Sequence, residues 1–239
     1  RATGLEFRHG GAPAEATARV GVILAGGSVN SPQLLELSGI GQGGLLQRHG
    51  LDVRHELPGV GENLQDHLQV RMVYKVSNTR TLNLRANSLL GRIAMGVEYG
   101  LFRTGPLTMA PSQLGAFAKS DPSRETANLQ YHVQPLSTDK LGEDLHPFEA
   151  FTASVCNLRP DSRGSIHIAS PDALAQPAIR PNYLSTESDR AVVADAIRLT
   201  RKICAAPGLA PYHPVEFRPG AEVGDDDASL IKAAGDLAT

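Results

Sequence analysis

Along residues 68–76 apolar and polar positions trade places. Leu68, Val70, Met72, Tyr74 and Val76 stand against Gln69, Arg71 and Lys75. A period of two predicts a strand with one buried and one wet face. "NLQYHVQPL" repeats the pattern, with Leu129, Tyr131 and Val133 on one face and Gln130, His132 and Gln134 on the other. "FEAFTASVCNL" and "GSIHIAS" alternate less cleanly. The "RPDSRG" between them supplies the Pro, Asp, Ser and Gly of a hairpin turn, so residues 128–170 read as an antiparallel meander. "QPAIRPNYL" is extended and proline-broken, as suits an edge or a loop.

The helical period appears further along. Leu90, Ile93, Val97 and Leu101 mark one helix, capped by Asn87 or Ser88. Val193, Ile197, Thr200 and either Ile203 or Cys204 mark another over 189–204, with Thr186 and Asp189 as its capping box. "GDDDASLIKAAG" opens a last helix with its carboxylates against the N-terminal dipole.

The first forty residues read differently. "TGLEFRHG" and "ATARVGVILA" predict a hairpin joined by "GGAPAE", its second strand ending in a buried run. Gly26, Gly27 and Asn30 then break the chain, and "SPQLLELSG" follows as a helix. Ser31 is its predicted N-cap, Pro32 its first turn and Gly39 its stop. Strand, glycine turn and helix together deliver bare backbone at Ala25, Gly26 and Gly27 to a helix N-terminus. Two readings fit that geometry: a seat for a phosphate or ribose, or a tight turn without a ligand. "GIGQGG" at 39–44 also fits the dinucleotide pattern G-x-G-x-x-G. It follows a helix rather than a strand, and the mechanism of that fingerprint needs the reverse.

These elements predict an α+β protein: an antiparallel sheet with flanking helices, preceded by a β-α start. Two lobes exchange chain, residues 1–66 with roughly 205–239, and 67–204 between them. At 239 residues the chain is long enough for a real core. Its hydrophobic content of 41% and charged content of 20% are ordinary for a globular protein. A net charge near −2 gives no reason to expect nucleic acid or an anionic membrane as partner. No apolar run approaches the 18 or so residues of a membrane span. Cys156 and Cys204 have no metal or redox spacing and read as small buried residues, which fits a reducing, cytoplasmic setting. Nothing in the sequence sets an oligomeric state.

Candidate chemistry is sparse. There is no G-x-S-x-G elbow, no H-E-x-x-H and no zinc spacing, which argues against a hydrolase or a metal site. His132, mid-strand between Gln130 and Gln134, lies either on a solvated sheet face or on a polar floor facing a ligand.

One set of motifs is more specific. "VILAGGSVNSPQLLELSGIG" at 22–41 resembles the second signature of the glucose-methanol-choline (GMC) flavin oxidoreductases, and "LPGVGENLQDH" at 57–67 resembles their next landmark. "TGPLT", "NLQYHVQPL", "LRPDSRGSIHIAS", "PNYLS" and "APYHPVEFRPG" follow in the family's order. The resemblance covers nearly the whole chain and is strongest to the choline and alcohol dehydrogenase branch.

The resemblance implies FAD as cofactor and oxidation of a small alcohol by hydride transfer. It places Ala25 and Gly26 near the ADP part of FAD, Asn63 with Asp66 and His67 in the loop leading from the flavin lobe to the substrate lobe, and His132 in the substrate pocket. Residues 1–66 then read as a partial FAD-lobe segment, 67–204 as the substrate-binding domain and 205–239 as a return segment toward the FAD lobe. Gly27 departs from the family's usual Ala. The family's own G-x-G-x-x-G and its catalytic His-Pro-Val-Gly-Thr have no counterpart here. "YHPV" at 212–215 continues as Glu216–Phe217 and precedes the last helix, so His213 is not the base and no catalytic residue is assigned. The expectation is a fragment of an alcohol-oxidising flavoenzyme, inactive alone. The alternative is a free-standing small-molecule binding module built on the substrate lobe.

Overall fold

The computed structural model describes residues 2–110, 112–140 and 142–238. In chain order its strands are β1 (Gly4–His9), β2 (Ala12–Thr17), β3 (Ile40–Gly41), β4 (His55–Glu56), β5 (Gln69–Lys75), β6 (Leu114–Ala118), β7 (Leu129–Gln134), β8 (Ala150–Asn157), β9 (Ser165–His167), β10 (Ala178–Arg180) and β11 (Val215–Arg218). Its α-helices are α1 (Gly27–Leu37), α2 (Gly43–Arg48), α3 (Leu82–Asn87), α4 (Leu89–Phe102), α5 (Glu187–Cys204) and α6 (Asp227–Leu237). The chain divides into two compact units, residues 1–64 with 163–182, and 65–162 with 183–239. These boundaries differ from the expected ones. Residues 163–182, expected within the 67–204 span, join the first unit, and 205–239 fold within the second.

In the first unit β1 and β2 pair antiparallel across Gly10 and Gly11, both at positive φ. That is the backbone a two-residue hairpin turn requires, and glycine adopts it without strain. The second strand stops at Thr17. The apolar run Gly21–Ala25 is not a strand, and Val20 and Ile23 are about nine-tenths exposed. An apolar strand of this kind needs a neighbour on each side, and among the described residues none pairs with it. Helix α1 also starts earlier than expected, at Gly27, with Gly26 as N-cap and Pro32 inside it. The predicted stop holds: Ser38 is the C-cap and Gly39, at φ +81, ends the helix. β3 and β4 form a short parallel pair, and β9 pairs with β10. The "RPDSRG" segment therefore does not fold β9 back on β8.

The second unit is a five-stranded antiparallel sheet in the order β11-β5-β8-β7-β6. Alternation works as read on its core face. Val70, Met72 and Tyr74 of β5, Leu129 and Tyr131 of β7 and Val155 of β8 pack with Val193, Ala196, Ile197 and Leu230 of α5 and α6. The opposite face of β5 is not wet. Arg71 and Val73 are 5% and 1% exposed, because further chain covers them.

Ser88 caps α4 by accepting from Gly91 N, yet the predicted apolar stripe Leu90, Ile93, Val97 and Leu101 is exposed and Met95 is its buried residue. Thr186 caps α5 by accepting from Asp189 N. Asp189 does not close a capping box, as its carboxylate turns to another segment. β11 lies on β5 and α6 packs on α5, which is why 205–239 belongs to this unit. Both cysteines are buried free thiols, and burial pushes Cys204 up to about 11. Among the described residues no helix is long and apolar enough to cross a membrane.

Candidate functional site

Three regions carry the residues singled out in the sequence. The first is the N-terminus of α1. Ala25 and Gly26 are exposed, and the helix start has no side-chain cap and no acidic residue in its first turn. Gly27 has φ +75, and a Cβ built on it would meet nothing within 4 Å. The first amides of a helix carry partial positive charge and have no partner within it. Here the helix start is exposed and flanked by two glycines. That end fits a phosphate or another anion.

The second region is the loop 57–64 of the same unit. Gly61, at φ +79, sits where a Cβ would be 2.2 Å from Ile166 O, and Gly61 O accepts from Ile166 N at 2.7 Å. Leu64 and Gly164 exchange both backbone hydrogen bonds, each 2.9 Å. The loop is thus held against β9, and this presents Asn63 exposed at φ +60. Asparagine tolerates that left-handed conformation better than most residues.

A network that the sequence reading missed ties the loop to α1. Glu36, fully buried, accepts from Ile168 N at 2.7 Å and meets His167 Nδ1 at 2.7 Å. His167 Nε2 meets Glu62 Oε1 at 3.0 Å, and that oxygen accepts from Gln42 Nε2 at 2.6 Å. The signal was present in "LLELSG", where a lone glutamate sits among leucines at the end of a helix. Gly26 and Glu36 lie at opposite ends of α1, roughly 15 Å apart at 1.5 Å per residue. Asn63, next to Glu62, is therefore near one end of the helix and the glycine turn is at the other.

The third region is the non-core face of the second unit's sheet. Residues directly opposite in an antiparallel pair share a face, so the register sets Arg71, Ser154, His132 and Gly115 in one row across β5, β8, β7 and β6. The neighbouring rows hold Gln69, Cys156, Gln130 and Phe117 on one side, and Val73, Thr152 and Gln134 on the other. His132 is half-buried. The face is polar and carries no carboxylate among these strand positions. At its end Lys75 lies over the Phe148 and Phe217 rings, 4.4 Å from each centroid. His67, at the head of β5, meets Leu158 O at 3.1 Å through Nε2. His213 closes a 3-10 turn at φ +45 and is exposed.

Two family models, both described as GMC oxidoreductase, match residues 1–69 and 160–236. The chain is 38% identical over 226 residues to an oxygen-dependent choline dehydrogenase of Stenotrophomonas maltophilia, covering 95% of this chain and 40% of that protein. It is 39% identical over 228 residues to the enzyme of the same name from Photobacterium profundum, with the same coverage. The chain thus spans about 40% of the length of the curated relatives it matches.

In fold it resembles a crystal structure of formate oxidase (TM-score 0.86, 22% identity, 96% of this chain and 44% of that one). It also resembles an FAD-dependent oxidoreductase from Chaetomium thermophilum (TM-score 0.83, 21% identity, 100% of this chain and 48% of that one). With both family models matched in order and the predicted signature segments lying inside the first of them, the chain belongs to the GMC oxidoreductase family.

Proposed function

We propose that this chain is the substrate-binding portion, with part of the cofactor lobe, of an FAD-dependent oxidoreductase that oxidises a primary alcohol. The observation that carries this reading is the uncapped, glycine-flanked N-terminus of α1, in a chain 38–39% identical to choline dehydrogenases. A bound flavin would supply the two-electron acceptor for the hydride that an alcohol carbon gives up as it becomes an aldehyde. The residues of this chain bind and orient. The free amides at Gly26 and Gly27 hold a phosphate of the cofactor, Asn63 offers its exposed amide to another part of it, and His132 and its row form the substrate floor. None of the histidines stands in the family's His-Pro-Val-Gly-Thr sequence, so the 239-residue polypeptide alone is expected to reduce no acceptor dye with any alcohol.

Ser28→Asp tests the cofactor assignment. A carboxylate in the first turn complements the helix dipole, so stability should rise by about 0.3–1 kcal/mol. The same charge repels a phosphate, so FAD affinity of the full-length protein, read from quenching of flavin fluorescence, should fall about tenfold or more. Unchanged FAD affinity with raised stability would remove the phosphate from this helix end.

A further inference from the structure

The apolar stripe of α4 faces outward. At about 100° per residue Leu89, Ile93, Val97, Leu90 and Leu101 fall within one arc of about 120°, and Gly100 is the only other residue of the helix inside it. Each of the five is 52–78% exposed, and Met95, on another side, is the buried residue of the helix. Phe102 and Leu107 add exposed apolar surface at its C-terminal end. A patch of this kind, free of polar side chains, marks a surface that meets something apolar.

Charge of one sign surrounds it. Residues 77–118 hold four arginines and a single acid, Glu98, a net +3 inside a chain whose total is −2. Glu98 is matched by Arg85 at 2.8 Å. Arg80 and Arg85 line one groove with Ser88 and Gly91 at the start of α4. Arg92 is exposed, about 60° beyond one border of the apolar arc. Arg103 is the C-cap, its guanidinium 4.9 Å over the Tyr99 ring. Cations thus stand at both ends of the stripe and along one flank, a local excess that the total charge averages away.

We infer that α4 docks on an anionic lipid surface. It lies in the plane of the headgroups, its leucine face among the acyl chains and its arginines on the lipid phosphates. An apolar helix face bordered by basic residues is the pattern of an interfacial helix, and long arginine stems let the charges reach the phosphates while that face is immersed. The helix does not span: 14 residues cover about 21 Å, short of a hydrocarbon core of roughly 30 Å. A second copy of this chain fits the face less well. A stable interface takes roughly 800 Å² from each partner, more than one face of a helix about 21 Å long and 10 Å wide presents. Two copies would also set arginines against arginines, with the one acid already paired.

The test is co-sedimentation of the full-length, flavin-loaded protein with vesicles of phosphatidylcholine, alone or with about 30% phosphatidylglycerol. Binding to the anionic vesicles is expected to exceed binding to the neutral ones more than about tenfold and to weaken as salt rises. Arg92→Gln with Arg103→Gln should lower it roughly 25-fold, about fivefold per arginine. Ile93→Glu with Val97→Glu should abolish it. Both of those side chains are more than half exposed, so the thermal midpoint and the flavin content should not change.

Equal binding to both vesicles, or binding that survives the double glutamate variant, overturns the inference. So does an unmutated protein that stays in the supernatant. A concentration-dependent dimer lost in the glutamate variant would then assign the face to a second copy, and a thermal midpoint lowered by that variant would assign it to the rest of the full-length protein. None of these outcomes bears on alcohol oxidation.

Discussion

Replacing Glu36 by leucine is expected to cost the first unit about 3–5 kcal/mol, the range seen when one partner of a buried charged contact is removed. The carboxylate has no exposure, and Ile168, whose amide it accepts, is 3% exposed. Leucine fills similar volume but accepts nothing. The Ile168 N–H is then left buried and unpaired, a penalty of about 1–3 kcal/mol by itself. His167 loses its Nδ1 contact at 2.7 Å, and through it the loop carrying Glu62 and Asn63 is loosened. Glu36→Gln keeps an acceptor for Ile168 and should cost about 1 kcal/mol. Urea midpoints order the variants, and amide exchange at Ile168 localises the effect. Equal midpoints for Glu36→Leu and Glu36→Gln would show that the acceptor at this position carries no weight.

The second large effect is at Asp189, 4% exposed, whose carboxylate accepts from Asp161 N at 2.9 Å, Ser162 N at 2.7 Å and Asn157 Nδ2 at 3.2 Å. Burial alone would raise this pKa, but the converging donors outweigh it and hold the group below the usual aspartate value. The sign follows from that direction. A carboxyl depressed in the folded state contributes stability in full above its unfolded pKa of about 4, and the contribution fades as pH falls through the lower folded value. Asp189→Ala should therefore lose about 3 kcal/mol at neutral pH, leaving two backbone amides without their acceptor. Asp189→Asn should flatten the acid limb of the stability curve below about pH 4. An unaltered acid limb in that variant would assign the limb to other carboxylates.

Legibility in the sequence tracked how local the determining physics was. β5, β7 and α5 were readable because period, cap and core face lie within one segment. The stretch Gly21–Ala25 was misread because an apolar run says what a strand would bury, while only neighbouring strands decide whether it forms. β8 and β9 flank a good turn sequence, yet β9 pairs with β10, a choice made by long-range partners that turn chemistry does not encode. Gly26 and Asn63 owe their visibility to motif order. Arg71 was hidden by the rule that revealed its strand, since alternation assigns a charged residue to water and here chain covers it. Asp189 looked like an ordinary capping residue, and its partners at 157–162 lie about thirty positions earlier.

The Glu36–Ile168 contact spans 132 positions of chain. During synthesis at roughly 5–20 residues per second, that glutamate leaves the ribosome on the order of ten seconds before its acceptor role can be filled. Through that interval α1 carries a hydrated charge where its buried side will be. Residues 1–64 can pair β1 with β2 and β3 with β4 as they emerge, while the Glu36 carboxylate waits for the Ile168 amide.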